Sequence, residues 1–199
     1  MIEGFKELLI ALADILERLK IPYCITGGLA VSVWGRPRGT FDVDVVVQLG
    51  IARIKPLAEN LRKLSEAGYI EETIAKEAVK RGKEFNFFHP ETGIKIDFWV
   101  ARPGDTITNL ELQRRIPKTL DDCTVYFISP EDLVVSKLRW YKESGSTRQL
   151  EDIESVLRIQ KNLDVPYIRT WAAKQGTLEM FEQILSTETK FPLANEGEV

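Results

Sequence analysis

The stretch IPYCITGGLAVSVWGRPRGTFDVDVVVQ, residues 21–48, decides the fold class. Residues 21–26 and 41–48 carry β-strand patterns rich in branched apolar side chains. Two adjacent glycines, Gly27 and Gly28, end the first strand, and a short helical pattern and a loop lead to the second. A strand, a glycine pair, a short helix and a second strand in this order predict an α/β domain.

Two aspartates of the second strand lie on the same side of it. Asp42 and Asp44 are two residues apart, and side chains at that spacing leave a strand on one face. The valines that alternate with them point to the opposite face, toward a core. Because two adjacent carboxylates repel each other unless a cation lies between them, the pair indicates a cation site. The alternative is a solvated strand end.

A third acid, Asp97, lies in the apolar strand pattern IKIDFWV, which forms a predicted β-hairpin with EFNFF across the turn HPETG. A carboxylate among apolar neighbours needs a compensating partner. Lys95 shares its strand face at spacing two, so a structural ion pair between Lys95 and Asp97 is one interpretation. A cation site shared with Asp42 and Asp44 is the other.

The composition excludes several classes of site. The 199 residues include 27 basic and 30 acidic ones, and a net charge of −3 argues against a protein coated with nucleic acid over its whole surface. The only histidine, His89, falls in the predicted turn, which excludes a histidine triad or a multi-histidine metal site. Cys24 and Cys123 form neither a disulfide framework nor a zinc quartet, so we expect reduced thiols and a cytoplasmic location.

The chain divides into an α/β half and a helical half. We expect an α/β core over residues 1–128 and a helical C-terminal region over 129–199 that packs on it, with a flexible tail from about residue 187. The predicted C-terminal helices span residues 130–142, 148–160, 165–175 and 177–186. No apolar run reaches the roughly 20 residues that cross a bilayer, and the acids of the N-terminal helix argue against a signal peptide, so we expect no membrane association.

Three charged residues of the helical half are candidates for a functional site. Lys137 falls on the apolar stripe of its helix, where its ammonium either reaches the surface or points at a buried anion. Arg148 and Asp152 are four residues apart on the next helix, and an intrahelical ion pair is their default interpretation.

The combined pattern resembles the nucleotidyltransferase superfamily whose core is shared with DNA polymerase β. Its signature is a pair of small residues, nine to thirteen residues, an Asp-apolar-Asp motif and a third acid on a later strand. Here Gly27-Gly28 precede Asp42 by thirteen residues, and Asp44 and Asp97 complete the motif. The stretch is similar to a small prokaryotic branch that includes type IV toxin–antitoxin nucleotidyltransferase toxins.

The resemblance implies a fold and a reaction. The fold is a mixed β-sheet core flanked by helices, followed by an all-α region. The reaction is transfer of NMP from an NTP such as ATP to an acceptor hydroxyl, with release of pyrophosphate. Asp42, Asp44 and Asp97 would hold two Mg²⁺ ions, with Mn²⁺ as an alternative, because oxygen ligands suit these cations and argue against zinc.

The resemblance also assigns the remaining site residues. It implies nucleotide binding by a set of small, polar and cationic residues: Gly27, Gly28, Arg38, Thr40, Lys137 and Arg148. In the same branch the counterpart of Asp152 is a candidate base for the acceptor. A tRNA end, a protein and a small molecule are all compatible acceptors, and an antitoxin-like protein is a compatible partner. The alternative function is a catalytically silent nucleotide- or partner-binding module, and the sequence leaves the oligomeric state open.

Overall fold

The structure, a computed structural model, describes residues 4–102 and 104–190. The helices are α1 (Phe5–Arg18), α2 (Gly27–Trp34), α3 (Ile51–Arg62), α4 (Glu72–Arg81), α5 (Thr106–Gln113), α6 (Pro130–Ser144), α7 (Thr147–Ile159), α8 (Val165–Lys174) and α9 (Leu178–Lys190). The strands are β1 (Tyr23–Ile25), β2 (Asp42–Val47), β3 (Glu84–His89), β4 (Ile94–Val100), β5 (Ile116–Leu120) and β6 (Cys123–Phe127).

The strands form one mixed sheet in the order β3-β4-β2-β1-β6-β5. The pairs β3–β4, β1–β2 and β5–β6 are antiparallel, whereas β2–β4 and β1–β6 are parallel. The parallel pair β2–β4 joins strands that α3, α4 and β3 separate in the chain. This arrangement confirms the predicted α/β fold class with a mixed sheet.

One face of β2 and β4 is packed into an apolar core. The side chains of Val43, Val45, Ile96 and Phe98 are at most 1% exposed, and Phe98 stacks on Phe85 of β3 with ring centroids 4.8 Å apart. Because side chains alternate along a strand, the residues between them leave on the opposite face. The burial of this face therefore fixes the register that positions the acids.

Strand β5 is the element that the sequence did not predict. It contains Pro117 and Lys118 and lies at the edge of the sheet, paired only with β6. Between the two strands Asp121 has a φ of 50°, a left-handed conformation that aspartate tolerates better than most residues. The strand is stabilised by pairing rather than by an apolar pattern of its own.

His89 ends β3 and is fully buried, so its predicted turn position is wrong. Its Nδ1 lies 3.0 Å from Thr92 Oγ1 and its Nε2 lies 3.2 Å from the Leu64 carbonyl oxygen. These two contacts satisfy both ring nitrogens, which is the condition for burying a polar ring.

The chain separates into two compact units. The N-terminal unit contains the described residues up to Ala30 and Gly39–Ser129, and the C-terminal unit contains Val31–Arg38 and the described residues from Pro130 onward. Helix α9 continues to Lys190, beyond the residue at which the last predicted helix ended. Residues 191–199 lie outside the described residues, so the flexible tail stays a prediction there. Among the described helices, none is both long and apolar enough to span a membrane.

Candidate active site

Three carboxylates share one face of the β2–β4 pair. In the parallel register Asp44 is opposite Asp97, and Asp42 is opposite Lys95. All three aspartates therefore leave the sheet on the side opposite to the valine core. We call Asp42, Asp44 and Asp97 the acidic face. The strand register brings together acids that the sequence placed on two separate strands.

Lys95 is the cation that the acidic face contacts. Its Nζ lies 2.8 Å from Asp97 Oδ2 and 4.0 Å from Asp42 Oδ1. The hydrogen bond to Asp97 is the main cause that raises the pKa of Lys95 above its ordinary value, and the charges of Asp42 and Asp44 act in the same direction. The structural ion pair that the sequence offered as one interpretation is present. Three carboxylates against one ammonium still leave an excess of negative charge.

Asp44 is held on both sides. The indole Nε1 of Trp99 donates a hydrogen bond to Asp44 Oδ1 at 3.2 Å. Gly27, with a φ of 60°, lies against the other oxygen, and a Cβ at this position would be 1.9 Å from Asp44 Oδ2. Any side chain at Gly27 would displace the carboxylate. The first glycine of the pair thus lies against Asp44, and the predicted nucleotide-binding role of Gly27 and Gly28 stays a prediction.

Thr40 organises the start of β2. Its Oγ1 donates to the carbonyl oxygen of Asp42 at 3.1 Å and accepts from the Asp42 N–H at 3.4 Å. The intervening Phe41 is 79% exposed. These bonds give Thr40 a local role beside the acidic face, and its nucleotide contact stays a prediction.

The donor atoms of the acidic face suit a hard divalent cation. They are carboxylate oxygens, the ligands that Mg²⁺ and Mn²⁺ prefer. Within residues 4–102 and 104–190, no three or more His, Cys, Asp or Glu side chains are arranged so that they could already hold a metal ion. Instead, Asp97 and Asp42 contact the ammonium of Lys95. The residues therefore fit such a cation if it replaces this ammonium.

A second charged group lies in the C-terminal unit around Asp152 of α7. The carboxylate is 3% exposed, and its Oδ2 lies 2.9 Å from the Nζ of Lys137 on α6. Arg38 approaches the same carboxylate with Nε 2.9 Å from Oδ1 and with Nη2 donating to Oδ2 at 3.1 Å. We call Arg38, Lys137 and Asp152 the cationic cluster. Two cations against one carboxylate leave an excess of positive charge.

Arg148 is not part of this cluster. Its side chain is exposed, and Asp152 pairs with Arg38 and Lys137 instead. The predicted i,i+4 ion pair is therefore wrong. A buried carboxylate gains more from cations that are shielded from water than from one exposed cation on the helix surface. The nucleotide-binding role of Arg148 stays a prediction.

Trp99 and Ser155 make hydrogen bonds close to the predicted site residues, and the sequence did not predict either of them. Trp99 follows Asp97 at spacing two, which places both on one strand face. Ser155 follows Asp152 at spacing three, which places both on one helix face, and its Oγ accepts the backbone N–H of Arg36. The spacing of each residue from a predicted acid is the signal that could have found it.

The model of one family, the Nucleotidyl transferase AbiEii toxin of type IV toxin–antitoxin systems, matches residues 11–197. This chain belongs to the AbiEii family. The membership confirms the resemblance that the glycine pair and the three acids predicted. A comparison with curated proteins gives no match.

Several solved structures share the fold of this AbiEii family member. An antigenic nucleotidyltransferase-like protein from Paracoccidioides brasiliensis aligns with a TM-score of 0.58 at 20% identity, over 91% of each chain. ANT(2″)-Ia in complex with adenylyl-2″-tobramycin aligns with a TM-score of 0.58 at 14% identity, over 86% of this chain and 97% of that one. The lincomycin-bound lincosamide antibiotic adenylyltransferase LnuA aligns with a TM-score of 0.51 at 17% identity, over 79% and 98%. At these identities the similarity establishes the fold.

Proposed function

We propose that this protein is a divalent-cation-dependent nucleotidyltransferase. It transfers NMP from an NTP to an acceptor hydroxyl: the acceptor oxygen forms a bond to the α-phosphorus, the bond from the α-phosphorus to the departing pyrophosphate oxygen breaks, and the proton of the acceptor hydroxyl passes to solvent water. The observation that carries the proposal is the acidic face, with Asp44 opposite Asp97 and Asp42 beside them on adjacent strands. Membership of the AbiEii family supports the same reaction class.

The acidic face would hold the metal. Asp42, Asp44 and Asp97 offer oxygen ligands for two Mg²⁺ or Mn²⁺ ions, and bound metal would neutralise charge on the attacking and leaving oxygens. The contacts of Trp99 and Gly27 keep the Asp44 carboxylate in one orientation. Fixed donors are needed because positioning and charge neutralisation supply most of the catalysis in phosphoryl transfer.

The cationic cluster would bind the phosphates of the NTP. Arg38 and Lys137 together carry one positive charge more than Asp152 neutralises, and a guanidinium matches the geometry of phosphate oxygens. Arg148, exposed on the same helix as Asp152, is a further candidate cation for the nucleotide. The acidic face would thus bind the metal cations, and the cationic cluster would bind the phosphate anions.

The acceptor stays open, and the family description suggests the kind of partner. A tRNA end, a protein hydroxyl and a small molecule remain the candidate acceptors, and an antitoxin-like protein is the candidate partner, as the type IV toxin–antitoxin description of the family suggests. Both would be met in the cytoplasm. Co-purification of a second protein with the tagged chain tests the partner.

Incubation with labelled NTPs, Mg²⁺ and candidate acceptors tests the proposal. We expect transfer by the wild type and a loss of about 10³-fold in Asp42→Ala and Asp44→Ala, equivalent to roughly 4 kcal/mol of transition-state stabilisation. Glu84→Gln is the matched control, because Glu84 is exposed and its register partner Trp99 shares the strand face of Asp97.

The control should retain wild-type transfer. Wild-type protein that transfers no NMP to any acceptor, yet binds NTP equally well with and without Mg²⁺, would contradict the proposal. That result would favour the catalytically silent binding module. Transfer that survives both aspartate substitutions would contradict the role of the acidic face.

A further inference from the structure

Residues 34–38, which we call the docking segment, begin at the last residue of α2 and are attached to α7 and to the residue directly after it. Gln160, which follows the last residue of α7, donates from Nε2 to the carbonyl oxygen of Trp34 at 2.6 Å. Ser155 accepts the backbone N–H of Arg36 at 2.5 Å. These bonds anchor the backbone of the segment at two positions. They involve no charged side chain, so they position the segment independently of the ion pairs.

Gly35 allows this close attachment. A Cβ at Gly35 would lie 2.5 Å from Ser155 Oγ and 3.1 Å from the carbonyl oxygen of Val31. Ser155 Oγ is the acceptor for Arg36, so it cannot move away without losing that bond. By contrast, a Cβ at Gly39 would meet nothing within 4 Å. The two glycines thus differ in the room that the structure leaves for a methyl group.

Arg38, the last residue of the docking segment, is fixed through both its backbone and its side chain. Ser32 Oγ accepts the Arg38 N–H at 3.2 Å and donates to the Arg38 carbonyl oxygen at 3.1 Å. Asp152 contacts the Nε and Nη2 side of the guanidinium, which leaves Nη1 outside this fork. The Arg38 side chain as a whole is 24% exposed, although its Nε is buried, so the residue is only partly closed off from solvent.

The cluster is over-supplied with cations for a purely structural ion pair. One cation neutralises one buried carboxylate, yet both Arg38 and Lys137 converge on Asp152. A buried charge without a counter-charge is costly, and Lys137 is only 8% exposed. A surplus positive charge held in fixed geometry is suited to an anionic ligand, and phosphate is the anion that the proposed reaction supplies.

We propose that Asp152 and Ser155 are positioning residues that hold Arg38 and Lys137 in place for the triphosphate of the NTP. This inference rests on the proposed nucleotidyltransferase function. Asp152 acts through the two cations and Ser155 acts through the docking segment. The role differs from that of a base for the acceptor, because both carboxylate oxygens of Asp152 already contact cations and the side chain is 3% exposed.

Three variants with one control test the inference in the full chain. Asp152→Asn removes the charge that holds both cations, Ser155→Ala removes the acceptor for Arg36, and Gly35→Ala inserts the methyl group that has no room. Gly39→Ala is the control, because the added methyl group has open space there. Circular dichroism and thermal melts show whether each variant is folded, and calorimetry in Mg²⁺ measures binding of ATP and of inorganic tripolyphosphate.

The expected result is a loss of affinity with little change in turnover. Ser155→Ala and Gly35→Ala should weaken tripolyphosphate binding and raise the KM for NTP roughly tenfold, and Asp152→Asn by roughly 10- to 100-fold, the range for one or a few lost charge-assisted hydrogen bonds. The kcat should change less than the KM. Arg38→Ala combined with Asp152→Asn should lose far less than the sum of the two single changes, because both act on one contact.

Three outcomes overturn the inference. The first is an Asp152→Asn protein that loses kcat while KM and tripolyphosphate affinity stay unchanged, which would make Asp152 a group acting on the acceptor. The second is a Gly35→Ala protein that binds as well as Gly39→Ala. The third is wild-type protein that binds no tripolyphosphate. If the wild type and the variants bind tripolyphosphate with the expected order of affinities but the wild type never transfers NMP, the proposed function is overturned. The positioning role of Asp152 and Ser155 would still stand.

Discussion

The acidic face and the cationic cluster contain the same kinds of side chain in opposite proportion. The acidic face has three carboxylates and one ammonium, and the side chains of Asp42 and Asp97 are 52% and 15% exposed. The cationic cluster has two cations and one carboxylate, and Asp152 is 3% exposed. The two groups therefore differ both in the sign of their excess charge and in the exposure of their carboxylates.

This difference in exposure determines which group can exchange its partners. The Lys95 side chain is 44% exposed, so water can replace its contacts when a metal ion displaces the ammonium from the acidic face. The buried carboxylate of Asp152 cannot replace a lost cation with water, so its contacts with Arg38 and Lys137 must persist in the folded protein. The acidic face is suited to a cation that comes and goes, and the cationic cluster to a fixed geometry that receives an anion.

The largest effect that tests this contrast is on stability. Asp152→Ala leaves two cations without their shared carboxylate, and we expect the free energy of unfolding to fall by about 3–5 kcal/mol. Asp42→Ala removes an exposed acid from among like charges, and we expect a change below about 1 kcal/mol. Urea unfolding followed by circular dichroism measures both. Equal losses in the two variants would contradict the contrast in burial.

The next effect is on metal affinity. Lys95→Met removes the ammonium that lies 2.8 Å from Asp97 and keeps a side chain of similar length. We expect Mn²⁺ to bind about tenfold more tightly, equivalent to about 1.4 kcal/mol, because the metal no longer competes with a like charge. Titration of free Mn²⁺ by electron paramagnetic resonance measures the affinity, independently of turnover.

Lys63→Met is the control for that titration. Lys63 is exposed just after the end of α3 and its loss changes the net charge equally. Its Mn²⁺ affinity should equal that of the wild type. A Lys95→Met protein whose affinity is unchanged would show that the ammonium does not compete for the carboxylates.

The smallest expected effect is at an exposed ion pair in the C-terminal unit. It tests whether burial, rather than location in that unit, determines the contribution of a pair to stability. Arg169 bonds Glu182 through Nε at 2.6 Å and Nη2 at 3.1 Å, but both side chains are more than 40% exposed. Glu182→Gln should lower the free energy of unfolding only slightly, and the loss should shrink in 1 M salt, because water and salt screen an exposed pair. A loss as large as that of Asp152→Ala would mean that burial does not determine the strength of these pairs.

The sequence predicted the elements whose periodicity is set locally. The β3–β4 hairpin is confirmed, and the helices α6 to α9 lie where the apolar spacing predicted them. β5 was not predicted, because Pro117 and Lys118 interrupt its pattern and its stability comes from pairing with β6. His89 was misplaced for a similar reason, since its buried contacts include the carbonyl of Leu64, which is remote in the sequence.

In the acidic face, too, some placements follow from local spacing and others only from the tertiary structure. A period of two determined that Asp42 and Asp44 share a face, whatever the rest of the chain does. The register of β2 against β4 decided that Asp97 joins them, and the register depends on burial of the valine face. The spacing of Lys95 and Asp97 allowed an ion pair, and the folded sheet shows that it forms.

For the cationic cluster, the sequence by itself determined less. It placed Lys137 on a buried stripe, which is confirmed, and it paired Asp152 with Arg148, which is wrong. Only the tertiary structure brings Arg38 to Asp152 across 114 residues of chain. Local spacing decides which side chains can be neighbours on one element. The partner of a buried charge is decided by the packing that removes water from it, and no periodicity in the sequence records that packing.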